Sequence, residues 1–363
     1  MRQISRSERR RSKSCDSVLP VLVFAVLFLV LAAPNFPQFA PHPFPGNKPA
    51  DIPQVWKSLI GEYGPEDSLL LVLEQSGRLV LRKMDRTETT LQSAPNGKFT
   101  LIRPPAAPLP VHFGQTARGR ADYISLDDVR FNRRKVGPEE GQPFQIHPAR
   151  SIDELRKEAL ASTPPHEQGH FRQPDLVDLT SVDPSVHLDI RYATSNDFLG
   201  TPVYTHARAF LQRPAAEALL RALRRLKPYG YALLIHDAYR PWYVTKIFWD
   251  ATPPEGKIFV ADPKDGSRHN RGCAVDLTLY ELATNNPVQM PGTYDEMSPR
   301  SFPDYPGGTS LQRWHRDLLR WAMESEGFTV YEREWWHFDY KDWREYPILN
   351  VPFEKLQFEA TIH

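Results

Sequence analysis

The hydrophobic pattern divides the chain before any single residue does. Residues 18–33 are almost wholly apolar, interrupted only by Pro20, and they follow a basic stretch carrying Arg2, Arg6, Arg9, Arg10, Arg11 and Lys13. A basic flank followed by an apolar run of this length predicts a signal peptide or membrane anchor over residues 1–34. Small residues at 30–32 offer a cleavage point, with Pro34 close behind. Whether or not the segment is cleaved, the basic flank stays cytoplasmic and the rest is exported, to the periplasm or cell envelope. Any membrane contact runs through residues 18–33 alone. Residues 35–51 are rich in proline and poor in charge, which predicts an extended linker.

From 52 to 165 the pattern is β-rich. The runs 68–74 and 77–83 flank Gln75-Ser76-Gly77, a hairpin signal. Residues 98–103 and 122–131 read as further strands, with Asn96-Gly97 as a turn. Trp56, Leu59 and Tyr63 lie at helical spacing and predict an entry helix on this sheet. No nucleophile, ligand cluster or phosphate loop stands out, so these residues are expected to form a β-rich accessory domain. A short helix is expected over 152–161, then a linker.

Residues 170–363 alternate differently. A strand is expected over 186–192. Pro214 opens a helix whose Leu219, Leu220, Leu223 and Leu226 share one face. A short apolar strand follows over 231–236. A second amphipathic helix covers 311–325, stopped by Gly327, and strands are expected over 328–331 and 336–340. Helices and strands mix without a βαβ rhythm. The expected class is therefore α+β, with a mainly antiparallel sheet flanked by helices.

Composition changes this picture little. The 363 residues carry a formal charge of +1, which gives no reason to invoke nucleic acid. The 35 prolines fit long irregular connections. Cys15 and Cys273 lie on opposite sides of the apolar run, so an intramolecular disulfide is not expected and export remains compatible.

Candidate chemistry concentrates in residues 267–276, Ser-Arg-His-Asn-Arg-Gly-Cys-Ala-Val-Asp, and in Glu334-Trp335-Trp336-His337. His269, Asp276 and His337 make a three-ligand set for one zinc ion, with a fourth position open to water. Glu334, three residues before a ligand and not itself one, is the candidate general base. Aromatic content favours a strand here, and residues three apart on a regular strand face opposite sides. Glu334 must then enter the strand at a bend or bulge to share a site with His337. Gly272 is expected to permit close backbone approach between the first two ligands. His236, His315 and Cys273 are expected to be structural, and Trp335 and Trp336 to form core and pocket wall.

These segments resemble the D-alanyl-D-alanine dipeptidase family of the VanX type, zinc peptidases related to D,D-carboxypeptidases and the hedgehog signalling domain. The resemblance spans about 175–346. It includes Asp189-Ile190-Arg191-Tyr192-Ala193-Thr194, Asn196-Asp197-Phe198, residues 237–241, residues 267–280, Tyr294-Asp295-Glu296 and residues 334–337. It implies zinc on His269, Asp276 and His337, Glu334 as catalytic acid/base, and Arg240 as the group stabilising the transition state. It also places Ser267 and Asp295 on substrate-holding positions, Asp295 at the ammonium end. The implied reaction is hydrolysis of D-Ala-D-Ala. D,D- or L,D-cleavage of peptidoglycan stem peptides, and a non-catalytic zinc-held binding module, are the alternatives.

Overall fold

A computed structural model describes residues 40–94, 98–115, 119–135, 144–148 and 150–356. The expected signal or anchor segment 1–34 with Cys15, the first part of the linker and the Asn96-Gly97 turn lie outside the described residues. No helix among the described residues is long and apolar enough to cross a membrane. The described residues from 41 to 356 form one compact unit.

After a single helical turn, α1 (Gln54–Lys57), eight strands follow in sequence: β1 Gly61–Tyr63, β2 Leu70–Gln75, β3 Arg78–Lys83, β4 Glu88–Ser93, β5 Phe99–Leu101, β6 Leu109–Gln115, β7 Ala121–Leu126 and β8 Val129–Asn132. Each pairs antiparallel with the next. The last strand returns to the first. Tyr63 bridges to Arg133, Gly64 N–H donates to the Asn132 carbonyl at 2.8 Å, and Arg134 N–H to that of Glu62 at 2.8 Å. These contacts close the sheet on itself at Tyr63 and Arg133. Inward positions such as Tyr63, Val72, Leu79, Leu81 and Ile124 fill the interior. The Arg133 guanidinium donates to the carbonyls of Ile60 and Ser58 and to the Tyr63 hydroxyl. A Cβ on Gly61 would lie 2.0 Å from that guanidinium, so only glycine fits there.

The hairpin at 75–77 forms as expected, but three readings are corrected. The helix ends at Lys57, and Tyr63 lies on β1 rather than on one helical face with Trp56. The run 122–131 is two strands, because Asp127 takes a left-handed φ of 50° and turns the chain. Strands β4 and β6 were not expected at all, since Glu88-Thr89-Thr90 and the proline in β6 mask the β pattern.

The remainder begins with α2 (Ile152–Ala161), its Ser151 side chain capping the first turn. Then come β9 (Leu176–Asp178), α3 (Leu179–Val182), β10 (His187–Leu188), β11 (Phe210–Gln212), α4 (Arg213–Leu226), β12 (Tyr231–Asp237), α5 (Trp242–Ala251), β13 (Ala274–Glu281), β14 (Asn286–Pro287), α6 (Ser310–Glu324), β15 (Phe328–Tyr331) and β16 (Glu334–Tyr340). The central sheet runs β10-β12-β13-β16-β15, parallel only at β10/β12, and β9 pairs with β11 apart from it. Helices α4 and α6 pack together and on the sheet. Thr309 and Gln312 close a capping box at the start of α6. This is the expected mixed α and antiparallel β architecture. The strand expected over 186–192 is cut to two residues, because the chain leaves β12 and coils into a 3-10 turn at Arg191–Ala193. Helix α5 escaped the pattern because its Trp, Tyr, Val, Thr, Ile and Phe residues are poor helix formers; burial of Trp242, Val244, Ile247 and Phe248 holds it.

The outer face of β2 and β3 packs through Leu71, Leu73 and Val80 on Tyr305, in the loop before α6. The Tyr305 hydroxyl donates to Glu62 at 2.8 Å. Glu74 accepts from Ser310 N–H at 2.6 Å, at the start of α6, where a carboxylate is favoured by the helix dipole.

Candidate metal centre and substrate pocket

Strand register builds the centre. Asp276 on β13 lies opposite Asp237 on β12 and opposite His337 on β16. Alternation sends Val275, Leu277, Leu279 and Phe338 into the core and leaves Asp276 and His337 on the other face. His269 comes from the short turn before β13. Gly272 ends that turn with φ +66°, and a Cβ there would meet Leu176 at 2.4 Å. The close approach expected of Gly272 is therefore to Leu176, not between the ligands.

His269 Nε2 lies 3.1 Å from His337 Nδ1, and Asp276 Oδ1 lies 3.3 Å and 3.0 Å from these two nitrogens. All three residues are buried. Each imidazole has a partner on its far side. His269 Nδ1 faces the Ala238 carbonyl at 2.6 Å, and His337 Nε2 faces Asp339 at 2.9 Å. Those outer bonds consume the ring N–H and turn lone pairs inward. Asp276 Oδ1 is buried without a hydrogen-bond partner. Three converging acceptors, one of them an orphaned carboxylate oxygen, are the donor set for a divalent cation; two imidazoles and one carboxylate suit zinc.

The charges around the site agree. Burial lowers the His337 pKa, but Asp339 and Asp276 outweigh it and raise it to about 10. Asp276 is held well below the ordinary carboxylate range: burial opposes this, and His269 and His337 prevail. A cation at this site therefore competes with a proton on His337. Zinc binding at pH 7 is expected to release about one proton per site, with apparent affinity strengthening about tenfold per pH unit between 6 and 8. Calorimetry in buffers of different ionisation enthalpy reads this directly, and binding without proton release contradicts it.

Asp339 was missed in the sequence, although its place two residues after His337 on a strand puts both on one face. Changing Asp339→Asn should weaken zinc binding roughly 10- to 100-fold, as loss of a carboxylate behind a ligating histidine typically does. Chelator competition checks it; an unchanged Kd would count against this orientation.

Glu334 sits at the first position of β16. The register with β15 jumps there, from Val330 opposite Phe338 to Tyr331 opposite Glu334. That irregularity resolves the spacing problem and brings Glu334 Oε2 within 3.8 Å of His337 Nδ1. Burial and the Asp276 carboxylate push Glu334 up to about 7, against the pull of His337.

Arg240 follows the bulged end of β12. Its Nε and Nη2 donate to Asp237 Oδ2 at 2.9 and 2.8 Å, and the Tyr204 hydroxyl donates to Asp237 Oδ1 at 2.8 Å. Asp237, which sequence reasoning gave no role, holds the guanidinium. Arg240 Nη2 is 3.8 Å from Asp276 Oδ2, and the guanidinium lies over the Phe248 ring at 4.7 Å.

His269, Asp276, His337, Glu334 and Arg240 line a cavity of about 100 Å³, with Tyr192, Phe248, Ser267, Asp295 and Trp336 also in its wall. Ser267 Oγ accepts from His269 N–H at 3.3 Å. Asp295 Oδ1 accepts from the Tyr192 hydroxyl at 2.9 Å, while its Oδ2 is buried and unpartnered. Burial and Asp276 push this carboxyl well above its usual range. All seven residues singled out in the sequence thus face one pocket. Cys273 is buried in the core and is not among the converging donors. His315 bonds the Tyr231 hydroxyl at 2.9 Å, Trp335 is buried in the core, and His236 stacks on Tyr294.

Comparison with known proteins points the same way. The profile of the peptidase M15 family, described as D-ala-D-ala dipeptidase, matches residues 172–357. A D-alanyl-D-alanine dipeptidase of Escherichia coli K12 is 33% identical over 189 residues, covering 52% of this chain and 96% of the relative. One from Enterococcus faecium is 35% identical over 190 residues, 46% of this chain and 93% of the relative. One from Streptomyces coelicolor is 34% identical over 175 residues, 43% and 87%. The eight-stranded closed sheet precedes the matched region.

Proposed function

The chain belongs to the D-ala-D-ala dipeptidase family of metallopeptidases, and from that membership we propose that it hydrolyses the free dipeptide D-alanyl-D-alanine with one zinc ion on His269, Asp276 and His337. The observation that carries the reading is the pairing of this donor triangle with the unpartnered carboxylate oxygen of Asp295 in one small cavity. When bound, zinc supplies a Lewis acid that polarises a carbonyl and lowers the pKa of water to about 7. Glu334 takes the proton of the attacking water and passes it to the leaving amine. Its carboxyl near 7 suits both directions. Arg240 keeps donors beyond those given to Asp237 and offers them to the oxygen that gains charge. Asp295 receives the substrate ammonium, and Ser267 holds the dipeptide from the wall beside His269.

A buried carboxyl with an unpartnered oxygen in the cavity wall, which a substrate ammonium would hold ionised, favours a short substrate with a free amine over a stem peptide. Asp295→Asn should cut kcat/KM for D-Ala-D-Ala about 10²-fold, roughly the 2–3 kcal/mol of a charged hydrogen bond, and leave N-acetyl-D-Ala-D-Ala nearly unaffected. Equal losses on both substrates would remove the ammonium role. Faster cleavage of stem pentapeptides than of the dipeptide by the parent would favour the carboxypeptidase alternative. Export is part of the proposal and rests on residues 1–34; recovery of the protein in the cytosolic fraction would refute it.

A further inference from the structure

Two guanidinium groups stand in the wall of the cavity, Arg240 and Arg268, and they differ in what already holds them. Arg240 gives Nε and Nη2 to Asp237. Arg268 is half-buried and has made no such bond. Its Nε faces Asp339 Oδ2 at 3.4 Å without forming a hydrogen bond, and that atom is buried with no other partner. Among the described residues its two terminal nitrogens have no hydrogen-bond partner either. A guanidinium is always charged and presents its N–H donors in one fixed plane.

The chain fixes where this group stands. Arg268 immediately precedes the ligand His269. Its carbonyl accepts from Arg271 N–H at 3.1 Å and from Cys273 N–H at 3.3 Å in the turn that leads into β13. The guanidinium carbon lies 5.1 Å from the Trp343 ring centre and 5.8 Å from that of Tyr331. Aromatic faces at this range hold a guanidinium by attraction to its charge. Tyr331 in turn meets His337 edge-on at 5.5 Å. Arg268 thus belongs to the His337 corner of the donor triangle. Asp295 belongs to the Asp276 corner: Tyr192 donates to it at 2.9 Å, and the Tyr294 hydroxyl lies 2.9 Å from that of Tyr192 and 3.1 Å from Asp276 Oδ2.

A free dipeptide carries its ammonium and its carboxylate on opposite sides of the scissile amide. With the amide carbonyl at the triangle and the ammonium on Asp295, the carboxylate is directed away from the Asp276 corner. A carboxylate drawn out of water there needs a cation or strong donors. We propose that Arg268 receives the substrate carboxylate through its terminal nitrogens and so selects a peptide whose leaving residue is its last. The proposal rests on the dipeptide reading above. Arg268 recognises the end that a dipeptide shares with a stem peptide, and Asp295 the end that only the dipeptide has.

The rival role for Arg268 is to steady Asp339, whose Oδ1 holds His337 Nε2 at 2.9 Å. A ligand without a carboxylate separates the two. In the zinc-loaded Glu334→Gln chain, calorimetry compares D-Ala-D-Ala with its C-terminal amide. The carboxylate form should bind about 10- to 100-fold more tightly, the usual effect of a charged hydrogen bond. Adding Arg268→Gln should close that gap by weakening the dipeptide and leaving the amide within about threefold, and Arg268→Lys should restore part of it. Zinc affinity and the thermal midpoint should stay close to those of the parent. In the chain with Glu334 intact, Arg268→Gln should raise KM for the dipeptide more than it lowers kcat, as loss of uniform binding does. Equal losses on dipeptide and amide, a gap that survives Arg268→Gln, or zinc weakened as much as by Asp339→Asn overturns the proposal. An Arg268-dependent gap in a chain that releases no D-alanine would uphold the carboxylate site and refute the dipeptidase reading; turnover with no such gap would do the reverse. Binding of neither ligand refutes both.

Discussion

Replacing Glu334 by glutamine lowers turnover of D-Ala-D-Ala by about 10²–10⁴, the usual cost of a missing acid/base, while zinc stays bound. Glutamine keeps the volume and a hydrogen-bonding end but can neither take nor return a proton. Glu334 lies outside the donor triangle, 3.8 Å from His337 Nδ1, so the ligands themselves are untouched. The parent should show an acidic kcat limb below pH 7, where this carboxyl titrates once zinc is bound. Activity on that limb is lost as pH falls, because the protonated acid no longer accepts the water's proton; bound zinc pulls the limb lower. The variant should lack that limb. A glutamine variant within about tenfold of the parent would show that another group moves the proton.

Replacing Asp276 by alanine should abolish stoichiometric zinc binding and lower kcat/KM by about 10³ or more, the equivalent of the several kcal/mol a Lewis acid contributes. The reason is positional. Asp276 is the cross-strand neighbour of both Asp237 and His337, and its Oδ1 lies 3.3 and 3.0 Å from the inward nitrogens of His269 and His337. Without it the donor triangle keeps two imidazoles and loses its one carboxylate. The loss exceeds that expected from Arg240→Ala, where one oxyanion donor costs about 10²–10³ and zinc remains. Zinc content by elemental analysis separates the two, and full occupancy in the Asp276 variant would remove this residue from the ligand set.

The sequence showed which residues to gather but not how they are held. His269, Asp276, Glu334 and His337 were legible because donor type and short spacing repeat a known chemical pattern. The bulge that lets Glu334 join His337 could be demanded from alternation alone, and the register jump at Tyr331 supplies it. Asp237 and Asp339 lie only three and two residues from Arg240 and His337, but Tyr294 bonds Asp276 across a loop and Tyr192 bonds Asp295 from 103 residues away. Such pairings follow from register, which local pattern does not encode. The closed eight-stranded sheet was hidden for the same reason. Its strands are three to seven residues long, and its closure depends on a bridge from Tyr63 to Arg133. Long amphipathic helices such as α4 and α6 were visible because a whole face of leucines or capping residues announces them.

The most direct test is release of D-alanine from free D-Ala-D-Ala by the zinc-loaded chain, with L-Ala-L-Ala as control. The structure predicts turnover of the D,D-dipeptide that a chelator removes and added zinc restores. A folded chain carrying one zinc per molecule that leaves D-Ala-D-Ala intact would contradict the assignment.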